Sequence, residues 1–279
     1  YHWLISPQDM ECKLASKSHG EAHGQDAGGF NVDPMHQFEV HALYELPPVA
    51  GIDVSFTNSS LWMMIAIISA SLLFLISARK PSLVPGRLQS FGELTYEFVA
   101  NMIRDNAGKE GMKYFPFVFT LFVFVLFCNM LGMIPYSFTV TSHLIVTFAL
   151  ASAVFLLVTG VGFIRHGIGF LKLFVPSGIP VALLPLLVVI ELISYLTRPV
   201  SLSVRLFANM MAGHTMLKVF GGFAVAFLSA GGVMSAGAIA PVAMMVAFTG
   251  LEFLIAFLQA YVFTILTCIY LNDAINLDH

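Results

Sequence analysis

The chain has 279 residues, of which 58% are hydrophobic and only 10% are charged, and its formal net charge is −3. Soluble domains carry about 25% charged residues, so this composition indicates a polytopic membrane protein. The weak net charge excludes a strongly basic surface and favours neither a nucleic-acid partner nor an acidic substrate.

The N-terminal extension, residues 1–57, is predicted to lie outside the membrane. Residues 13–29 read KLASKSHGEAHGQDAGG, a polar and glycine-rich stretch typical of a solvated segment. His19 and His23 have the spacing of a weak metal pair on a helix, but a solvated tail is the simpler interpretation.

The first membrane crossing is predicted over residues 58–80. Its apolar part, LWMMIAIISASLLFLISA, has no charged residue and is long enough to cross the hydrocarbon core. Ser59 or Ser60 is expected to be the N-cap of this helix.

Residues 85–113 are predicted to form an amphipathic helix on the membrane surface. Large apolar side chains recur every three or four residues among charged ones, a pattern that makes a crossing unfavourable. Gly108 and Gly111 are expected to end this helix.

A transmembrane hairpin is predicted over residues 114–166. Residues 114–164 contain no Lys, Arg, Asp or Glu. Pro135 and the polar stretch SFTVTSH separate two apolar segments, and so short a connection indicates antiparallel neighbours. His143, in that turn, is interpreted as a residue at the membrane boundary.

Two long helices, about 178–219 and 238–272, are predicted within residues 173–275, followed by a tail at 276–279. Five glycines separate them, and Pro241 is expected to start or kink the second. A 40-residue helix is about 60 Å long, about twice the hydrocarbon thickness, so each helix is either broken or steeply tilted. The continuous apolar composition favours tilt, and the whole pattern predicts an all-α polytopic membrane protein.

The basic residues predict the orientation in the membrane, because cytoplasmic loops carry an excess of Lys and Arg. Residues 79–113 and 165–172 carry eight of them, whereas the turn at 135–142 has none. These segments are therefore expected to face the cytoplasm or matrix, with the N-terminus outside and the C-terminus inside.

Charged residues at membrane depth usually pair, line a cavity or form a pathway. Glu191, Arg198 and Arg205 are seven residues apart, so on a helix they form one stripe, with Asn209 near it. His214 is nine residues after Arg205 and therefore points to the opposite face.

In the last helix, Glu252 and Gln259 are seven apart and share a face. Histidine and glutamate both gain and lose protons when their surroundings change, so a pair of His214 with Glu252 is suited to moving protons. Arginine effectively never deprotonates, so Arg205 is suited to an electrostatic gate instead.

Simpler interpretations remain open for several of these residues. Arg198, beside Pro199, and Lys218 are compatible with snorkelling anchors at the membrane interface. Glu191 is able to pair with Arg198 one stripe position away. Glu252 and Gln259 are compatible with polar contacts that only hold helices together. Arg205 lies in mid-helix with no partner nearby in sequence.

No signature of an independent enzyme is present. The chain contains no phosphate loop and no GxSxG elbow, and its apolar spans contain no HxE metal spacing. Cys12, Cys128 and Cys268 are far apart and fit neither a metal site nor a disulfide framework. No metal and no cofactor are predicted.

The stretch ELISYLTRPVSLSVRLFANMMAGHTML, residues 191–217, strongly resembles the signature of subunit a of the F-type ATP synthase, called subunit 6 in mitochondria. Residues 115–144 resemble the family's hairpin helices, and residues 251–274 resemble its last helix. The resemblance covers about residues 35–275.

This resemblance implies a proton-translocating stator subunit with two offset aqueous half-channels beside a ring of c subunits. The expected partners are the c-ring carboxylates, the peripheral-stalk subunit b, other membrane-sector subunits and the lipid bilayer. By position, Arg205 matches the essential arginine facing the ring, and Asn209 and Gln259 match polar residues near it. Glu191 matches the inner path, and His214 with Glu252 matches the outer uptake path.

In some bacterial members the last pair is exchanged, with Glu at the position of His214 and His at the position of Glu252. The arrangement here resembles alphaproteobacterial and mitochondrial members. The polar N-terminal segment, with Tyr1 in place of Met, favours a processed protein of the mitochondrial inner membrane, with an alphaproteobacterial plasma membrane as the alternative.

Two other classes of protein compete with this interpretation. A secondary transporter needs its own substrate site and usually two related halves, but the sequence contains no internal repeat. A purely structural membrane scaffold leaves Arg205 unexplained.

Overall fold

The computed structural model describes residues 38–44, 55–79, 84–134, 137–174 and 183–276. The predictions for His19, His23, Cys12, Pro135 and the C-terminal tail fall outside these ranges, apart from Asn276. Within them, a small antiparallel sheet is followed by helices. The elements are β1 (Ala42–Tyr44), β2 (Phe56–Thr57), α1 (Asn58–Ala78), α2 (Arg87–Gly111), α3 (Phe115–Gly132), α4 (Leu144–His166), α5 (Leu184–Ala230) and α6 (Ile239–Ile275).

Five helical segments in the described part of the chain are long and apolar enough to cross a membrane. They are Asn58–Ala78, Arg87–Gly132, Leu144–Leu171, Leu184–Ala230 and Met234–Ile275. The prediction of an all-α polytopic membrane protein is confirmed. The segment Arg87–Gly132 joins α2, which carries charges, to the charge-free α3 through a short 3₁₀ turn. The surface location of α2 stays a prediction.

Helix α1 begins at Asn58, before both of the residues that were expected to cap it. Thr57 is the N-cap, because its backbone is extended and its side chain accepts a hydrogen bond from the Ser60 amide. The prediction of Ser59 or Ser60 is therefore wrong. The Asn58 amide bonds to the Glu39 carbonyl at 3.1 Å and ties the start of α1 to the segment before β1.

The end of α2 is tied to the end of α4 by an ion cluster. The backbone leaves the helical conformation at Gly108, where φ is 65°, a value that glycine adopts without steric cost. Glu110 then accepts hydrogen bonds from Lys113 at 2.9 Å and from Arg165 at 3.0 Å. This contact fixes the charged ends of the two helices against each other.

Helix α5 is longer than predicted and runs unbroken through Gly221 and Gly222 to Ala230. Gly231, with φ of 67°, ends it. The prediction of a break near residue 219 is wrong, because tertiary packing outweighs the ~1 kcal/mol helix penalty of a glycine. Phe220, next to these glycines, stacks on Phe248 of α6 with ring centroids 5.3 Å apart.

The extra length of α5 also changes the interpretation of Lys218. This residue lies twelve positions before the end of the helix rather than at its end. Its location at the membrane interface stays a prediction. With 47 and 37 residues, α5 and α6 are about 70 Å and 55 Å long. Both exceed the ~30 Å hydrocarbon core, and a steep tilt stays the prediction.

The core is centred on α6, which packs against α2, α3, α4 and α5. Its inward stripe contains Ala256 and Ala260, both completely buried, and small residues of this kind let membrane helices approach closely. Cys128 and Cys268 are also buried and unpaired, as expected for small apolar side chains.

We expect Gly162→Ala to destabilise the protein, because a Cβ there collides with the buried ring of Phe170. Overpacking of this kind costs about 1–3 kcal/mol. Gly160→Ala, on the same helix with no atom within 4 Å of its added Cβ, is the matched control and is expected to be neutral or stabilising. Thermal unfolding of the full chain in detergent micelles tests this, and equal melting temperatures for the two variants would contradict it.

Candidate functional site

Arg205 lies on the open face of α5. Its side chain is exposed, whereas the neighbouring Leu202 and Leu206 point into the core with 3% and 1% exposure. No residue in the described ranges forms a hydrogen bond or an ion pair with Arg205. Asn209, one turn further on, is exposed as well. An arginine at membrane depth is unfavourable by a few kcal/mol, and such residues usually pair, line a water-filled cavity or mark an ion pathway.

Arg198, one stripe position earlier, is paired within the chain. Its guanidinium donates to Asp273 in the last turn of α6 at 3.0 Å, and both side chains are 19% exposed. It also lies over the rings of Tyr195 and Tyr270, 5.2 and 4.8 Å from their centroids. Arg198 therefore pairs with Asp273 and not with Glu191, because antiparallel packing of α5 and α6 brings a carboxylate from far along the chain. Its location at the membrane interface stays a prediction. Glu191 is half-buried.

His214 and Glu252 lie together on the inner side of the α5–α6 hairpin. The distance from His214 Nε2 to Glu252 Oε1 is 3.6 Å, and the Glu252 side chain is only 4% exposed. Gly213 makes this approach possible, since an added Cβ would lie 2.6 Å from Glu252 Oε1. The structure therefore places two protonatable groups side by side on the face away from Arg205.

The turn between α3 and α4 contributes to the same place. The Thr139 Oγ1 lies 2.9 Å from His214 Nε2 and 3.3 Å from the Gly132 carbonyl oxygen. From α3, the completely buried Asn129 donates to the Ala256 carbonyl at 3.2 Å. We call this set of inward-facing residues the polar cluster. Its members are Asn129, Thr139, His214 and Glu252.

Buried polar atoms without protein partners concentrate in and beside the polar cluster. Among the described side chains, the unpaired buried atoms are Asn129 Oδ1, Thr141 Oγ1, His143 Nε2 and both carboxyl oxygens of Glu252. Buried polar groups in folded proteins are almost always hydrogen-bonded, to water where no protein group is available. This region is therefore suited to holding water. His143 also precedes α4 at the turn, where its ring stacks on Phe138.

Gln259 lies on the same inward stripe of α6 as Glu252 and is 8% exposed. It does not share the open face of Arg205 and Asn209, and no hydrogen bond joins it to either of them in the described structure. The six predicted site residues thus separate into two groups and one distant residue. Arg205 and Asn209 face outward. His214, Glu252 and Gln259 face inward, and Glu191 lies further away along α5.

Three polar residues around the site were missed from sequence. Asp273 follows the predicted last helix, about 238–272, and its pairing depends on the packing of two helices. Thr139 is predicted from sequence only as part of the turn between the hairpin helices. Asn129 is a single amide in an apolar run without charged residues. Its isolation in that run is the one sequence signal that indicates an inward polar contact.

The family model described as ATP synthase A chain matches residues 59–272. Among relatives named ATP synthase subunit a, that of Parvibaculum lavamentivorans is 59% identical over 255 residues, covering 91% of this chain and 98% of its own. That of Pelagibacter ubique is 60% identical over 247 residues, covering 88% and 99%. That of Mesorhizobium japonicum is 57% identical over 248 residues, covering 89% and 98%.

These relatives are alphaproteobacterial, so they do not support the mitochondrial location predicted from sequence. They fit the bacterial alternative, and the chain is a multi-pass membrane protein. The matched range includes all of α5, α6 as far as residue 272, and every predicted site residue from Glu191 to Gln259. The chain belongs to the ATP synthase A chain family.

Proposed function

We propose that this chain is the proton-translocating stator subunit of an F-type ATP synthase in a bacterial plasma membrane. Its two offset half-channels load and unload protons on the carboxylates of a c-ring, and the stalk subunit b and other membrane-sector subunits are further partners. The observation that carries the proposal is Arg205, a cation with no hydrogen bond or ion pair among the described residues, on the open face of a membrane helix and inside the segment that matches the family.

The open face of α5 is proposed to lie against the c-ring. A rotor carboxylate passing Arg205 is held ionised by the guanidinium, because an opposite charge within a few ångströms favours the charged form. Since arginine does not itself release a proton, it blocks direct leakage between the half-channels. Asn209 lies one helical turn beyond Arg205 on the same face and supplies an amide to the approaching carboxylate.

The polar cluster is proposed to be the uptake path. His214 and Glu252 are protonatable neighbours at 3.6 Å, and the unpaired buried atoms around them are suited to binding water. Gln259 continues the polar stripe of α6 by two helical turns. Protons then pass from this side of the hairpin to the ring.

The release path is proposed to run toward Glu191, near the start of α5 and about 21 Å along the helix axis from Arg205. Arg198 lies between them, but Asp273 neutralises it through the 3.0 Å ion pair. Arg205 is therefore left as the cation that meets the ring, rather than one of two competing cations.

We predict that Arg205→Ala abolishes proton-driven ATP synthesis in the assembled complex and permits passive proton flow, because the fixed charge separating the half-channels is lost. The measurement uses the whole complex reconstituted in vesicles. Arg87→Ala removes an exposed arginine from α2 and serves as the control, with wild-type rates expected. Wild-type synthesis by the Arg205→Ala complex, or failure of this chain to co-purify with a c-ring, would contradict the proposed function.

We predict that His214→Ala lowers proton flux by about tenfold or more while the complex still assembles, since a positioned proton-transfer group contributes at least that much. Flux is measured in vesicles under an imposed potential. The exchange His214→Glu with Glu252→His restores the pair and is expected to recover more flux than either single substitution. Unchanged flux in His214→Ala would remove His214 from the uptake path.

A further inference from the structure

Thr139 connects the turn between α3 and α4 to the histidine of the polar cluster. Its hydroxyl lies 2.9 Å from His214 Nε2, and the same hydroxyl donates to the Gly132 carbonyl oxygen at 3.3 Å. Thr139 is 5% exposed, so this arrangement is enclosed. Its methyl group also faces Gly132, where an added Cβ would lie 2.8 Å from Thr139 Cγ2. The side chain therefore makes two separable contacts, one polar and one apolar.

The hydroxyl has one proton and two acceptor lone pairs, so it accepts from Nε2 while it donates to the Gly132 carbonyl, and it donates to Nε2 when its proton turns that way. The contact with Nε2 at 2.9 Å is the shorter of the two, and the Gly132 carbonyl also accepts from the Ser137 hydroxyl at 3.0 Å. The other neighbour of Nε2 is Glu252 Oε1 at 3.6 Å. Nε2 therefore lies between Thr139 and Glu252, and no described residue hydrogen-bonds to Nδ1.

We propose that Thr139 is a positioning residue for proton uptake: its hydroxyl fixes the ring orientation of His214 and holds Nε2 beside Glu252. This rests on the proposed function, because it assigns a role to Thr139 through His214. Thr139 does not itself exchange the translocated proton. It holds the imidazole in the orientation in which His214 and Glu252 are neighbours.

The groups around His214 are consistent with this role. Glu252 faces it from α6, and Lys218 lies one turn along α5. From the chain before β1, the ring of Phe38 contacts the imidazole edge-on at 6.4 Å. The turn itself contributes the Thr139 hydroxyl, while its own histidine, His143, is stacked on Phe138.

The test compares two substitutions that remove different halves of Thr139. Thr139→Val keeps the shape and loses the hydroxyl, whereas Thr139→Ser keeps the hydroxyl and loses the methyl group that faces Gly132. If the hydrogen bond to His214 is what matters, Thr139→Val lowers proton flux about three- to tenfold, the range expected for one lost hydrogen bond, and Thr139→Ser stays near wild type. If Thr139 acts only by packing, Thr139→Ser is the more damaging of the two.

Flux is measured in the reconstituted ATP synthase complex and normalised to the amount of this chain assembled with the c-ring. Thr147→Val is the matched control, because Thr147 is completely buried and its hydroxyl bonds only to carbonyls of its own helix turn. Wild-type flux in Thr139→Val, or a greater loss in Thr139→Ser, overturns the inference. Unchanged flux in His214→Ala would contradict the proposed uptake path itself. That result is distinct from a failure of the Thr139 inference, in which His214→Ala lowers flux and Thr139→Val does not.

Discussion

The unfavourable free energy of a charge in hydrocarbon organises this structure. Each ionisable group in the long helices requires a partner, water or a position near the interface. Arg198 meets that requirement with Asp273 and two tyrosine rings. Glu252 lies 3.6 Å from His214, and its carboxyl oxygens are free of hydrogen bonds within the described structure and suited to binding water. Arg205 finds no partner among the described residues of its own chain. We propose that a rotor carboxylate, which has the opposite charge, is the partner of Arg205.

We propose a separate function for each of the two faces of α5. The outward face presents Arg205 and Asn209, while the inward face brings His214 to Glu252. Close approach of the helices at Gly213 and at the alanines of α6 makes the inner face compact. Arg205 and His214 point in opposite directions and are offset by nine residues, about 13 Å along the helix axis. In the proposed mechanism this separation keeps uptake and release from merging into a leak.

Sequence reasoning reached the helical class, the main helices and the opposite directions of Arg205 and His214, because membrane composition and a 100° helical step determine them locally. It failed where packing between distant segments decides the outcome. The pair of Arg198 with Asp273 and the contact of Thr139 with His214 each join residues 75 positions apart. The continuation of α5 through Gly221 and Gly222 likewise depends on contacts with α6 rather than on intrinsic propensity.

We propose that the open face of α5 lies against the rotor, and cysteine cross-linking in the assembled complex tests this placement. Ala208 is exposed near Arg205, whereas Met210 is completely buried. In the assembled complex, with a cysteine placed beside the c-subunit carboxylate, Ala208→Cys is predicted to form an oxidative cross-link to the c subunit, and Met210→Cys is not. A cross-link from Met210→Cys with none from Ala208→Cys would contradict the placement of the open face of α5 against the rotor.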